Sequence, residues 1–177
     1  DRFPNREALR HVQQAFPEIV RIEQESVDAR SVPRNLDGVR TMFLSLHHFG
    51  PEDAVAILQD AVETRAGIVV LEAQQRDLGH VIRFALSPIF VLLLTPLIRP
   101  LSAGRLFFTY IVPIVPIAVG WDGVVSVLRT YSLEEMAELA SRADPGSTFS
   151  WSTERLRKGP QIIQVLTGTP VSDQEHR

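Results

Sequence analysis

The segment from residue 41 to 73 constrains the fold more than any other part of the chain, because it reads as strand, turn, helix and strand. Its first apolar run, Met42 to Leu46, has the nearly continuous hydrophobicity of a strand that helices cover on both faces. Gly50 ends that run, and Pro51 suits the first position of a helix. A second apolar run, 68–71, follows. Two such strands joined by a helix of about four turns favour a parallel, right-handed crossover, so the pattern predicts an α/β protein.

Polar side chains follow both predicted strands, and they are the candidate catalytic residues. His47 and His48 come at the end of the first strand and Glu72 at the end of the second. Open α/β sheets bind their ligands beyond the carboxyl ends of the strands. Neighbouring positions on a strand point to opposite faces, so the two histidines are expected not to share a metal, and we predict no metal site.

Two interpretations of these residues stay open. A histidine here could act as general base for an oxygen or nitrogen acceptor, or it could shape the pocket through a hydrogen bond to a backbone carbonyl. Glu72 could orient an acceptor amine or hydroxyl, or it could form a structural hydrogen bond to the segment that follows it.

Composition narrows the classes of function. With 45% hydrophobic and 22% charged residues, the 177-residue chain has the balance of a globular domain, expected to be cytoplasmic with a possible membrane association. Its formal charge of −3 argues against a nucleic-acid partner held by bulk electrostatics. It has no cysteine, which excludes thiolate nucleophiles and thiolate metal sites.

Residues 76–131 form an apolar insert. Two uncharged stretches, 84–98 and 106–121, flank the sequence RPLSAGR. Each has about 15 residues, whereas a membrane-spanning helix needs about 20, and prolines interrupt both. We therefore expect buried helices that form a cap over a substrate; a dimer interface, a membrane-surface contact and true spanning segments are the alternatives. Trp121, Arg129 and Tyr131 would either hold this cap together or line a substrate pocket.

The flanking segments supply the remaining elements. A helix is predicted from about Asn5 and a short strand around 19–23. Ser132 and Glu135 have the spacing of a capping box at the start of the last helix. Residues 147–153 and 161–166 then read as an antiparallel pair of strands.

This order of segments resembles the class I S-adenosylmethionine-dependent methyltransferases, and more narrowly a bacterial group of that family, over essentially the whole chain. Three places carry the resemblance: Asp1 directly before a helix, the pair Asp28-Ala29 after a strand, and the run from Ser45 to Phe49. The resemblance implies one Rossmann-like domain over residues 1–177. Of the family strand order 3-2-1-4-5-7-6, strands 3 to 7 would be present, with the apolar insert as a helical cap.

The same resemblance implies a cofactor and a reaction. S-adenosylmethionine would donate a methyl group to a small, apolar acceptor. Asp1 would accept hydrogen bonds from the ribose hydroxyls, Asp28 and Ala29 would border the adenine, and Leu46 and His47 would lie beside the methionine end.

The chain also departs from the family, because it has no glycine-rich loop. We expect that loop upstream of Asp1, in a segment of about 60 residues, the usual size of such a βαβ start. Without strands 1 and 2, strand 3 would lack its neighbours and the inner edge of strand 4 would be exposed. A non-catalytic binding protein that uses the insert as an interface is one alternative. A nicotinamide-dependent oxidoreductase is another, although the antiparallel final pair of strands argues against it.

Overall fold

A computed structural model describes residues 5–159 and 161–171, and it is built on a four-stranded mixed sheet. The strands are β1 (Arg40–Phe43), β2 (Ile68–Glu72), β3 (Phe149–Lys158) and β4 (Gln161–Pro170). Their order is β1-β2-β4-β3, with β1 parallel to β2, and β4 antiparallel to both β2 and β3. The predicted α/β class, the parallel crossover and the final antiparallel pair are confirmed.

Seven α-helices occur in the described residues. They are α1 (Arg6–Ala15), α2 (Pro51–Glu63), α3 (Leu78–Ala85), α4 (Ser87–Leu94), α5 (Ala103–Leu106), α6 (Ile114–Arg129) and α7 (Leu133–Ala143). Short helical turns lie at Leu46–His48, Thr95–Leu97 and Phe107–Ile111.

The hydrophobic core lies on one face of the sheet. Helices α2 and α7 pack against each other there, over Ile68 and Val70 of β2 and Leu166 of β4. The opposite face is less covered: Val69 and Leu71 are half-buried and Phe43 is 66% exposed. The expectation that helices cover the first two strands on both faces is therefore wrong for the described chain, because the helices that flank them share one side.

The N-terminal region follows the prediction only in part. The predicted helix α1 is present, and Asn5 caps it by accepting a hydrogen bond from the Ala8 N–H. No residue of α1 is buried, and Phe16, which follows the helix, is 55% exposed. The predicted strand around 19–23 is wrong: the backbone there is irregular and Ile19 is 81% exposed. A strand needs a partner for its N–H and C=O groups. Among the described residues, β1 is the edge of the sheet and its outer side is unpaired, so residues 19–23 have no strand to pair with.

The insert is helical as predicted, but most of its large apolar side chains are not buried. Helices α3 and α4 pack antiparallel to α6, with Gly120 beside Pro88 and Gly123 beside Phe84. A Cβ added at Gly123 would lie 2.6 Å from Phe84 Cδ1, so glycine is what allows this close approach. The glycines of α6 make room for Phe84 and Pro88, while most of the other large apolar side chains of these helices point outward.

Asp144 closes the junction between α7 and β3. Its Oδ1 accepts hydrogen bonds from the Thr148 N–H and hydroxyl, both at 2.9 Å, and its Oδ2 accepts from the Phe149 N–H at 2.8 Å and from Trp151 Nε1 at 3.3 Å. Burial by itself raises the pKa of Asp144, but these hydrogen bonds outweigh burial and hold the pKa below its usual range.

We expect Asp144→Asn to lower the free energy of unfolding by about 1–3 kcal/mol at neutral pH, because an amide nitrogen cannot accept from the donors that one oxygen now serves. A pKa that is lower in the folded state stabilises above the unfolded value, near 3.9, and that contribution is lost as pH falls through the folded value. Urea unfolding at pH 7 and at pH 3 should therefore show the variant and the wild type converging in acid. Asp37→Asn, at an exposed carboxylate, is the control; an equal loss there would contradict the assignment.

Candidate functional site

The turn after β1 carries the two histidines. β1 ends at Phe43, Leu44 has a positive φ of 50°, and the chain then makes the helical turn Leu46–His48. The histidine rings lie together, with centroids 4.3 Å apart and a tilt of 35°. The expectation that they point to opposite faces is wrong, because the strand ends before them and a helical turn does not alternate its side chains.

His47 and Glu72 form a buried pair at the ends of the two parallel strands. The His47 Nδ1 lies 2.8 Å from Glu72 Oε2, and the His47 backbone N–H donates to Oε1 at 3.2 Å. Both side chains are almost fully enclosed, at 4% and 0% exposure. The two carboxyl oxygens of Glu72 thus contact the ring and the backbone of the same histidine. Glu72 therefore sets both the ring orientation of His47 and the position of its backbone.

Residues after α6 hold the other side of the turn. The Tyr131 hydroxyl donates to the Phe49 carbonyl at 2.8 Å, and Arg129 Nη2 donates to the His48 carbonyl at 3.4 Å. Burial raises the pKa of the Tyr131 phenol, so it remains a neutral donor at physiological pH. Arg129 and Tyr131, both predicted at a substrate pocket, thus lie at the strand ends and contact the backbone of the histidine turn.

Gln164 of β4 completes this frame. It lies opposite Glu72 in the register between β2 and β4, and its side-chain amide donates to the carbonyls of Tyr131 and Gln74, each at 3.2 Å. A glutamine within the apolar run QIIQVL is visible in the sequence as a polar group that needs a partner if buried. The sequence does not indicate which backbone carbonyls its amide would bind.

A cleft of about 610 Å³ opens beside β1, within the range of small-molecule sites. The predicted pair Asp28-Ala29 and the segment that contains Ser45 and Phe49 both line it. The remaining lining is mostly apolar and is formed by Val27, Val32, Arg40, Thr41, Met42, Ile57 and Ile68. The structure thus brings together two of the three segments that were expected to hold a cofactor.

Arg30 orients Asp28 at the rim of this cleft. Its Nε donates to Asp28 Oδ1 at 3.0 Å and its Nη2 to Oδ2 at 2.7 Å, while its Nη1 reaches Asp53 Oδ1 at 2.8 Å. Hydrogen bonds to Asp28 and Asp53 raise the pKa of the guanidinium, which stays charged. Arg30 was not singled out in the sequence, although its position two residues after Asp28 is a visible signal.

Other predicted residues lie elsewhere. Trp121 is 72% exposed on α6 and does not line the cleft, so neither a core position nor a pocket wall is found for it. Leu46 is fully buried in the core and does not line the cleft, so the predicted contact with the cofactor is not found for it. Asp1 lies outside the described residues. Within 5–159 and 161–171, no three His, Asp or Glu side chains are grouped as metal ligands.

Compared with models of protein families, with curated proteins and with solved structures, the chain shows no match.

We expect the His47–Glu72 pair to be energetically coupled. His47→Leu leaves a buried carboxylate without its partner and should cost about 3–5 kcal/mol, and Glu72→Leu strands two buried donors and should cost about 1–3 kcal/mol. Because the double variant removes both polar groups, it should cost less than the sum by about 0.5–3 kcal/mol.

Urea unfolding of the four proteins measures this coupling. The exposed pair His80 and Asp77 has the same ring-to-carboxylate contact at 2.7 Å and serves as the matched control, with a coupling below about 1 kcal/mol. Additive effects of His47→Leu and Glu72→Leu would contradict the role given to the buried pair.

Proposed function

We propose that the protein is an S-adenosylmethionine-dependent methyltransferase that acts on a small, apolar acceptor. The observation that carries the proposal is the strand order. In the family that the sequence resembles, strands 4-5-7-6 end the sheet; here the order is β1-β2-β4-β3, with β4 antiparallel between its neighbours. A dinucleotide-binding sheet of order 3-2-1-4-5-6 has no such antiparallel insertion, so the same observation disfavours the nicotinamide alternative.

The cleft beside β1 fits one part of the cofactor. Its mostly apolar walls suit an adenine ring, and the carboxylate of Asp28 at the rim, oriented by Arg30, suits the exocyclic amine. Ala29 would border the ring, while Ser45 and Phe49, at the two ends of the histidine turn and in the wall of the cleft, would flank the methionine end. When bound, the cofactor supplies a methyl group that the positive sulfur has already activated.

The residues of this chain would then act mainly by positioning. Glu72 and His47 hold the histidine turn from the sheet side, and Arg129 and Tyr131 hold its carbonyls from the other side. His48 is the exposed ring of the pair, tilted against the fixed ring of His47, and it is the group able to accept a proton from an acceptor hydroxyl or amine.

We expect Asp28→Asn to weaken binding of S-adenosylmethionine about tenfold or more, because a hydrogen bond to a charged group contributes about 1.5–3 kcal/mol. Asp53→Asn is the matched control, since Asp53 pairs with the same Arg30 but does not line the cleft. Isothermal titration of the intact protein measures both. Equal weakening in the two variants would contradict a direct contact between Asp28 and the cofactor, since both changes disturb Arg30. No binding by the wild type would favour a non-catalytic binding protein.

We expect His48→Ala to slow methyl transfer to a hydroxyl or amine acceptor by about 10²–10⁴-fold while cofactor affinity is kept. The assay follows the radiolabelled methyl group from S-adenosylmethionine into solvent-extractable products of a total lipid extract. An unchanged rate in His48→Ala would remove His48 as the base, whereas labelled product from the wild type would still support the methyltransferase itself.

A further inference from the structure

We propose that residues 78–129, called here the apolar hairpin, dock the protein onto the surface of an anionic lipid bilayer and lie within one leaflet. This proposal goes beyond the methyl-transfer reaction and does not depend on it. It rests on where the hairpin exposes apolar side chains, on how its two arms, α3–α4 and α6, contact each other and on its charge.

Helix α4 is apolar on nearly all of its free circumference. Its exposed side chains include Leu93 at 66%, Phe90 at 59% and Ile89 at 51%, with Leu92 and Leu94 beside them. At 100° per residue these positions cover about 200° of the helix. A helix that is apolar all round belongs in a core or in lipid, and no residue of α4 is buried in this fold.

Helix α6, the second arm, also exposes large apolar side chains on its outer side. On α6 the outward residues include Trp121 at 72%, Ile117 at 65% and Ile114 at 54% exposure. Its inward contact with the first arm uses Gly120 and Gly123, the kind of small-residue packing that helix pairs use where large side chains face lipid. An exposed tryptophan on such a face is typical of a membrane interface.

The charge of the hairpin matches an anionic leaflet. It contains four arginines and a single carboxylate, a formal charge of +3, whereas the rest of the chain carries −6. Arg83 and Arg99 are exposed, and Arg105 donates to the Ile98 carbonyl at the connection between the arms. The basic side chains of the hairpin would attract anionic headgroups, while the acidic rest of the chain would be repelled from them.

The dimensions favour one leaflet over a full crossing. The segment Leu78–Leu97 is long enough to cross a membrane, and Ala103–Ile111 with Ile114–Arg129 form a second candidate bent by 73°. Between Arg83 and Arg99, however, the uncharged run spans about 22 Å, short of the roughly 30 Å hydrocarbon core. Lying along the interface, the hairpin keeps its arginines at headgroup level and its apolar side chains in the acyl region.

A second copy of the chain fits less well as the occupant. A dimer contact covers one patch on each partner, whereas apolar side chains here cover most of the free surface of both arms. The end of the hairpin also reaches the candidate site, since Arg129 contacts the His48 carbonyl. Docking would therefore bring the histidine turn close to the lipid surface.

Vesicle co-sedimentation of the full chain tests the docking. With phosphatidylcholine vesicles that contain phosphatidylglycerol, we expect the wild type to bind and the double variant Leu93→Glu, Ile117→Glu to lose at least about tenfold in partition. Phe43→Glu, Val39→Glu is the matched control, because its residues are equally exposed, at 66% and 67%, but lie outside the hairpin. Equal loss in both double variants, or no binding by the wild type, would overturn the proposal.

The arginines give an independent readout. Arg83→Gln and Arg99→Gln should each lower the partition about fivefold on anionic vesicles and change it little on pure phosphatidylcholine. Arg34→Gln, exposed and outside the hairpin, should have no such effect. Partition that does not depend on the anionic lipid in the wild type would contradict the charge argument.

The depth of insertion can be measured with one probe, because the chain has no cysteine of its own. A Leu101→Cys variant, labelled with a nitrobenzoxadiazole dye at the connection between the arms, should be fully quenched by dithionite added outside the vesicles. Protection of the dye would show a crossing. A lipid-free dimer that Leu93→Glu, Ile117→Glu dissociates, without vesicle binding by the wild type, would assign the hairpin to a second copy instead.

Discussion

The candidate site depends on one buried carboxylate. Glu72 ends β2 with no exposed surface, and its two oxygens receive the ring and the backbone N–H of His47. A charge in such a place is costly unless it is fully hydrogen-bonded, so the pairing determines where the chain goes after β1. The ring of His48 and the carbonyls that Arg129 and Tyr131 contact all lie on that turn, so this pair determines their positions.

The same turn links the two unlike halves of the molecule. On one side is an ordinary α/β arrangement, with α2 and α7 packed on a single face of the sheet. On the other is the apolar hairpin, whose last helix ends at Arg129, next to the histidines. A methyltransferase with a lipid-soluble acceptor would need this combination, because the acceptor partitions into a bilayer while the cofactor stays in water.

Local chemistry predicted a large part of the fold. The crossover from β1 through α2 to β2 and the capping box of Ser132 and Glu135 follow from signals within a few residues, and both are found. The strand around 19–23 did not form, because a strand depends on a neighbour that its own residues do not supply. The burial expected of the apolar stretches failed for a related reason: hydrophobicity says that a side chain avoids water, not whether protein or lipid covers it.

The sequence by itself determined the α/β class, the parallel crossover and the presence of polar residues where the first two strands end, because periodicity, caps and turns act over short distances. Only the tertiary structure decided that His47 binds Glu72, that Asp28 is oriented by Arg30 beside an apolar cleft, and that Trp121 faces outward. The first two outcomes involve residues far apart in the chain, because His47 and Glu72 are 25 positions apart and Arg30 also binds Asp53, 23 positions away. The physical cause is that polar groups taken out of water must find partners wherever the packed fold places them.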